Sequence, residues 1–207
     1  MITIVDYGLG NIAAFANVYK RMNEPFVVAR TPAEIEAAER IILPGVGAFD
    51  HALDLLDASG MRGALEIQVR EHRKPVMGIC VGMQMLMEGS DEGERAGLGW
   101  LPGRVRHFSA SPASEGLPLP HMGWNDVEPK SEEPLFTGLG EDARFYFLHS
   151  YYVECGRPAD IAATAHYGFD FGCSVHHDNV FGVQFHPEKS HHFGAAVLRN
   201  FAKLQAC

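Results

Sequence analysis

Apolar positions along the first half of the chain fall into short runs, each followed by a helical period. Residues 2–6 (Ile2-Thr3-Ile4-Val5-Asp6) are β-branched and apolar and predict a buried strand. The turn Tyr7-Gly8-Leu9-Gly10-Asn11 then opens a helix over roughly residues 12–22. Phe26–Ala29 reads as a second strand, and Thr31-Pro32-Ala33-Glu34 as a capping-box helix start with proline at its first position. Arg40–Leu43 is a third strand, stopped by Pro44-Gly45-Val46-Gly47. Helical patterns cover about 49–58 and 61–72, with a break at Ser59-Gly60. Pro75–Ile79 is the fourth strand, with a helix following from about residue 82.

Buried strands alternating with helices predict a parallel sheet covered on both faces. Ligands of such sheets bind beyond the carboxyl ends of the strands, where Tyr7–Asn11, Pro44–Gly47 and Cys80 fall. After residue 97 the texture changes. Gly, Pro and Ser cluster as far as Pro120, around one strand at 104–108. Antiparallel strands are expected at about 122–128, 145–154, 160–166, 171–176 and 180–185, and a last helix at 190–203. No repeat or linker divides residues 1–207, so one α/β domain with a mixed sheet is expected.

Composition narrows the function classes. With 46% hydrophobic and 21% charged residues, the chain has globular rather than disordered or fibrous character. A chain of 207 residues buries roughly 70% of its unfolded surface and needs no staples. Seventeen Lys and Arg against 26 Asp and Glu give a net charge of −9, which disfavours nucleic acid and anionic membrane as partners. Apolar runs stop short of a membrane span, and the amino terminus lacks a signal-peptide pattern, so a cytoplasmic protein is expected. Cys80, Cys155, Cys173 and Cys207 form no Cys-x-x-Cys pair, which predicts free thiols rather than a zinc ribbon.

One of the four thiols has a special setting. Gly78-Ile79-Cys80-Val81-Gly82 lies between a strand and a helix with the spacing of a nucleophile elbow. A helix start there directs N–H groups at the sulfur, favouring thiolate and holding a developing oxyanion. The motif alone leaves nucleophile and core thiol both open. Cys155 and Cys173 sit in strand patterns and read as structural, and Cys207 is terminal. Among eleven histidines, His176-His177 and His191-His192 have no partner at metal-ligand spacing. His186 ends the apolar run 180–185 and precedes Pro187-Glu188. It can face the edge that carries Cys80, with Glu188 orienting its ring as in a triad; the plain alternative is a strand-end histidine beside a surface glutamate.

Gly78–Gln84 with His186-Pro187-Glu188 resembles the triad-type, class I glutamine amidotransferases. Asp6–Asn11, Pro44–Phe49, Pro120–Asn125 and His186–Ser190 are similar, within that family, to the glutaminase subunits of imidazole glycerol phosphate synthase. The resemblance runs from residue 2 to about 203. It implies a three-layer fold, with a mostly parallel central mixed sheet and helices on both faces. It also implies glutamine hydrolysis by Cys80, His186 and Glu188 through a thioester. Gly45, Val46 and Gly47, with the Val81 N–H, would serve the oxyanion. Gln84, Glu92, His149, Ser150 and Tyr151 would hold glutamine. From the pattern alone, Gln84 also reads as a helix surface residue, and Glu92 as one acid among Asp91-Glu92-Gly93-Glu94.

No metal or other cofactor is implied. The implied partner is a (β/α)8-barrel cyclase subunit, forming a heterodimer. It would receive ammonia and convert PRFAR to imidazole glycerol phosphate and AICAR in histidine biosynthesis. Asn11, Trp124, Tyr146 and Lys189 would lie at or near the docking face; ordinary core packing is the alternative for the two aromatics. Val81 stands where the family often has leucine, and Ile12–Phe15 lacks the arginine or serine common in relatives. The resemblance implies low glutaminase activity without the partner, and the glycine-bracketed segment Gly45-Val46-Gly47, whose peptide groups can reorient cheaply, fits that expectation. Competing readings are a glutaminase serving another synthase, a stand-alone Cys-His hydrolase, and a non-catalytic binding protein.

Overall fold

The computed structural model describes residues 1–140 and 142–204; Cys207 lies outside the described residues. The chain begins with β1 (Ile2–Val5), α1 (Ile12–Arg21), β2 (Phe26–Ala29) and α2 (Pro32–Glu36). Both arms of the predicted capping box form at α2: the Thr31 hydroxyl accepts from the Glu34 N–H, and Glu34 accepts from the Thr31 N–H. Next come β3 (Arg40–Gly45), α3 (Phe49–Ala58), α4 (Arg62–Glu66), β4 (Val76–Cys80) and α5 (Val81–Met85). Then follow β5 (Gly89–Ser90), β6 (Gly103–His107), β7 (His121–Asp126), β8 (Glu128–Pro129), β9 (Arg144–His149) and β10 (Tyr151–Cys155). The chain closes with β11 (Ile161–Tyr167), β12 (Phe169–His177), β13 (Val180–Val183) and α6 (His191–Lys203).

The main sheet runs β2-β1-β3-β4-β13-β12-β10-β6-β5, with β11 and β8 branching from β12. It is parallel from β2 to β13 and antiparallel through β12 and β10 to β6. All residues of β1, β4 and β13 are buried. Side chains alternate between faces, so such strands require cover on both sides of the sheet. Around them α1 packs on α6, α2 on α4 and α3 on α5.

Five boundaries differ from the sequence expectations; one is the strand expected at 122–128, which divides into β7, paired with β9, and β8, paired with β11 in the main sheet. β3 continues through Pro44 and Gly45, which pair with Ile79 and Cys80 of β4. The β1 ladder beside it has ended at Ile42, so Pro44 withholds no hydrogen bond there. The predicted helix over 61–72 is α4 followed by π-helical turns over Ile67–Glu71. The helix after Cys80 is little more than one turn. The run 145–154 divides at Ser150 into β9, which pairs with β7 in a separate two-stranded sheet, and β10, which joins the main sheet.

Close backbone packing at the centre depends on three glycines. A Cβ on Gly82 would lie 2.0 Å from the Leu43 carbonyl oxygen. One on Gly45 would meet the Gly82 nitrogen at 2.3 Å, and one on Gly78 the Gly82 oxygen at 2.5 Å. These residues let β3, β4 and α5 converge beneath Cys80. Among the described residues, no helix is long and apolar enough to cross a membrane.

Candidate active site

Cys80 ends β4 with φ +56° and ψ −114°, a left-handed backbone rare for a residue with a side chain. The bend turns its thiol away from the sheet into a cavity of about 290 Å³. Val46, Gly47, Val81, Gln84, Glu92, His149, Ser150, Tyr151 and His186 also line that cavity. Ten of the twelve residues singled out for catalysis, oxyanion and substrate therefore meet around one space. The other two stand behind it: Gly45 under α5, and Glu188 behind His186. Pro120, Leu148 and Lys189 complete the wall. Their placement rests on the long connection before β7, on β9 and on the turn before α6; Pro120 and Lys189 lie in motifs singled out above, and no local motif marks Leu148.

His186 is held from several directions. Its N–H donates to the Tyr146 carbonyl at 2.9 Å, and the Ser190 hydroxyl donates to the His186 carbonyl at 2.6 Å. Its Nδ1 bonds Glu188 Oε1 at 2.9 Å, and the Glu188 side chain is only 2% exposed. Burial disfavours the imidazolium. Hydrogen bonds and charge attraction from Cys80 and Glu188 outweigh that and hold its pKa up at about 9. That balance favours a proton on the ring, which stands between a sulfur and a carboxylate.

Among the neighbouring acids, Glu92 reaches the cavity. Its Oε2 accepts from the Phe49 N–H at 2.8 Å, at the start of α3. Asp91 turns instead to Arg104 and Arg106. Gln84 is buried rather than a helix surface residue. The Gly47 position, at φ +83°, has open space where a Cβ would stand, and Val46 beside it is 37% exposed. This rim can change its peptide orientation at low cost.

A buried histidine pair supports the far wall. His149 Nδ1 faces the Tyr151 carbonyl at 2.7 Å and must carry the proton. His149 Nε2 therefore accepts from His121 Nδ1 at 2.9 Å, and His121 Nε2 faces the Asn125 amide at 3.3 Å. Burial pushes His121 down to about 4 and His149 to about 3. No local pattern marks this pairing, because the rings are 28 residues apart and meet through the β7–β9 register.

The two sets of histidines act on stability in opposite directions. Below the unfolded value of about 6.5, the unfolded chain takes up protons that His121 and His149 refuse, so their contribution is lost as pH falls toward 4. His186 contributes below about 6.5 and loses that contribution as pH rises through 9. Denaturant unfolding across pH is expected to show His121→Asn losing less stability than the parent between pH 7 and pH 5. Equal losses would discard this assignment.

The remaining motifs lie elsewhere. His176 stacks on Phe181 and bonds Glu133, while His177 pairs with Asp160. His191 stacks on Trp124, and His192 lies against Phe193. Among the described residues, no three His, Cys, Asp or Glu side chains converge as a metal-binding group. Cys173 is buried, and Cys155 is partly buried with its thiol pushed up to about 11 by desolvation. Trp124, Tyr146 and Lys189 share the outer side of the β7–β9 sheet, where the Lys189 ammonium lies 5.8 Å from the Tyr146 ring centre. Exposed Met122 and Leu148 pair beside them. Asn11 is exposed and caps α1.

A thiol on a strained elbow, beside an imidazole backed by a carboxylate, is equipped for acyl transfer. Comparison with known proteins agrees with that chemistry. The class-I glutamine amidotransferase family model matches residues 3–204. The imidazole glycerol phosphate synthase subunit HisH of Bdellovibrio bacteriovorus is 60% identical, covering 99% of this chain and 100% of that protein. The HisH subunit of Leptospira borgpetersenii is 48% identical with the same coverage. A crystal structure of a glutamine amidotransferase superposes with TM-score 0.75 at 20% identity, covering 97% of this chain and 96% of that one. A chain of PurLQS from Thermotoga maritima gives TM-score 0.66 at 18% identity, covering 97% and 96%. The structural likenesses speak for the fold, and the family model and the full-length relatives together show that the chain belongs to the class-I glutamine amidotransferases, alongside the HisH subunits of imidazole glycerol phosphate synthase.

Proposed function

We propose that this chain is the glutaminase subunit of an imidazole glycerol phosphate synthase, hydrolysing glutamine and passing ammonia to a cyclase subunit. The line Cys80–His186–Glu188 at the cavity carries the chemistry of this reading; the two HisH relatives carry its assignment to this synthase.

In the proposed reaction, the Cys80 thiolate attacks the glutamine side-chain amide carbon. The carbonyl electrons move to oxygen, which the Val81 N–H and the Gly45-Val46-Gly47 rim receive. His186 gives its proton to the departing nitrogen, so ammonia leaves and a thioester remains. The now neutral imidazole takes a proton from water, whose oxygen attacks the thioester. Glutamate leaves and the thiolate returns. Glu188 keeps the ring in register through both halves. Glu92, with one oxygen held by the Phe49 N–H, presents its other oxygen to the substrate ammonium. Gln84 and the backbone of His149, Ser150 and Tyr151 hold the rest.

Ammonia released into water at neutral pH becomes ammonium and loses its nucleophilicity, so the product needs a covered route. The outer side of the β7–β9 sheet suits a docked partner: Met122 is 65% exposed and Trp124 40% exposed, beside Tyr146 and Leu148. Such an aromatic and aliphatic cluster fits the core of an interface. A barrel-shaped cyclase acting on PRFAR is the proposed occupant.

The test is partner-dependent turnover. The isolated chain is expected to hydrolyse glutamine slowly, and the complex with cyclase and its nucleotide ligand at least tenfold faster (a threshold of about 10 on the scale of allosteric couplings). Trp124→Ala is expected to weaken association about 30-fold, read by titration calorimetry. Full turnover by the isolated chain, indifferent to the cyclase, favours a stand-alone hydrolase instead.

A further inference from the structure

Gln184 is a buried amide that the reaction above leaves unused. It has no measurable exposure and does not line the cavity. The parallel register of β13 on β4 sets Gly182 beside Gly78 and Val183 beside Ile79, so the next step brings Gln184 beside Cys80. Its N–H donates to the Cys173 carbonyl at 2.8 Å, which fixes the backbone. Its side-chain Nε2 then donates to Cys80 Sγ at 3.7 Å. Its Oε1 accepts from Gln84 Nε2 at 3.1 Å.

The order of donors along this line matters. Turning Gln184 over by itself would set two NH2 groups face to face and a carbonyl oxygen against the sulfur. As arranged, an N–H faces the sulfur, and the carbonyl of the same amide is engaged by a second buried amide. A thiol accepts a hydrogen bond weakly, but a thiolate accepts one with charge assistance. In a dry site the second bond polarises the first. A neutral amide also adds no charge to compete with His186.

We propose that Gln184 is a further catalytic residue, whose Nε2–H, polarised by Gln84, donates to the Cys80 sulfur and favours its thiolate form. In deacylation the C–S bond breaks and its electron pair returns to sulfur, so the same donor supports the leaving thiolate. The role in turnover rests on the glutaminase reading. The effect on the sulfur does not, because an alkylating reagent needs no glutamine.

The experiment is the pH dependence of iodoacetamide alkylation at Cys80, followed by peptide mass mapping in the full chain. Gln184→Met keeps a similar length without a donor. It is expected to move the acid limb of the profile up by about one pH unit, making alkylation about tenfold slower on that limb. The titratable groups facing Cys80 are His186 with Glu188 behind it, Tyr7 after β1, and Glu92, His149, Tyr151 and Lys189 across the cavity. All are retained in the variant. An unmoved limb, or one moved down, overturns the proposal.

Should Gln184→Met not fold, the parent chain answers through its 15N-labelled glutamine amides. The Gln184 side-chain protons are expected to shift along the same limb as alkylation, and a flat response overturns the proposal equally. In the complex, Gln184→Met is expected to lower kcat about tenfold with KM little changed. If the limb moves but the parent hydrolyses no glutamine, the glutaminase reading fails and the sulfur donor stands.

Discussion

Cys80→Ala is expected to abolish glutamine-dependent synthesis, by about 10⁴-fold or more, while synthesis driven by added ammonia continues in the assembled complex. The size follows from the loss of the nucleophile itself. His186 and the oxyanion donors can still polarise a bound amide, but no thioester can form. Alanine fits the site, since a Cβ already exists there and Cys80 is buried with little else to lose. The comparison separates two outcomes. Loss of both activities would mean that the variant disrupts the complex, and near-normal glutamine hydrolysis would sink the triad assignment. Assaying each nitrogen source with the same preparation, after checking association by sedimentation, decides between them.

Gly82→Ala is expected to destabilise the fold beneath the elbow by about 3 kcal/mol, the upper end of overpacking penalties. Its Cβ would meet the Leu43 carbonyl oxygen at 2.0 Å, with the Leu43 and Pro44 carbonyl carbons at 3.0 and 3.2 Å. All three are backbone atoms of a strand held between β1 and β4, so none can swing aside as a side chain would. Gly63→Ala is the control: nothing lies within 4 Å of its added Cβ, and it sits in α4. Alanine is the better helix former there, by up to about 1 kcal/mol. Denaturant unfolding of the two variants beside the parent measures the contrast. Equal stability of the two would mean that the β3–α5 approach can relax, which the packing denies.

The features legible in the amino-acid sequence are those whose residues are near neighbours in the chain. The capping box of α2 spans four residues, and both of its bonds form. The elbow Gly78–Gly82 spans five, and the strain it predicts is present at Cys80. His186 and Glu188 are two apart and meet at 2.9 Å. Elsewhere local pattern and long-range pairing conflict. The stretch 145–154 has no internal glycine or proline, and its aromatic and aliphatic residues suit one continuous strand. Only the pairing of β9 with β7, and of β10 with β6, shows that it serves two sheets. Proline at position 44 reads as a stop, but its side of the ladder is already free, and the strand runs on.

The sequence by itself therefore determined the alternation of strands and helices as far as α5, the elbow at Cys80 and the His186–Glu188 pair. Each follows from backbone sterics and side-chain reach over a few residues. Tertiary structure alone decided which acid enters the cavity, because Arg104 and Arg106 draw Asp91 away while α3 holds Glu92. It likewise joined His121 to His149 and Gln184 to Cys80, separated by 28 and 104 residues. Those contacts depend on sheet register, and a shift of one residue would turn every side chain of a strand to the opposite face.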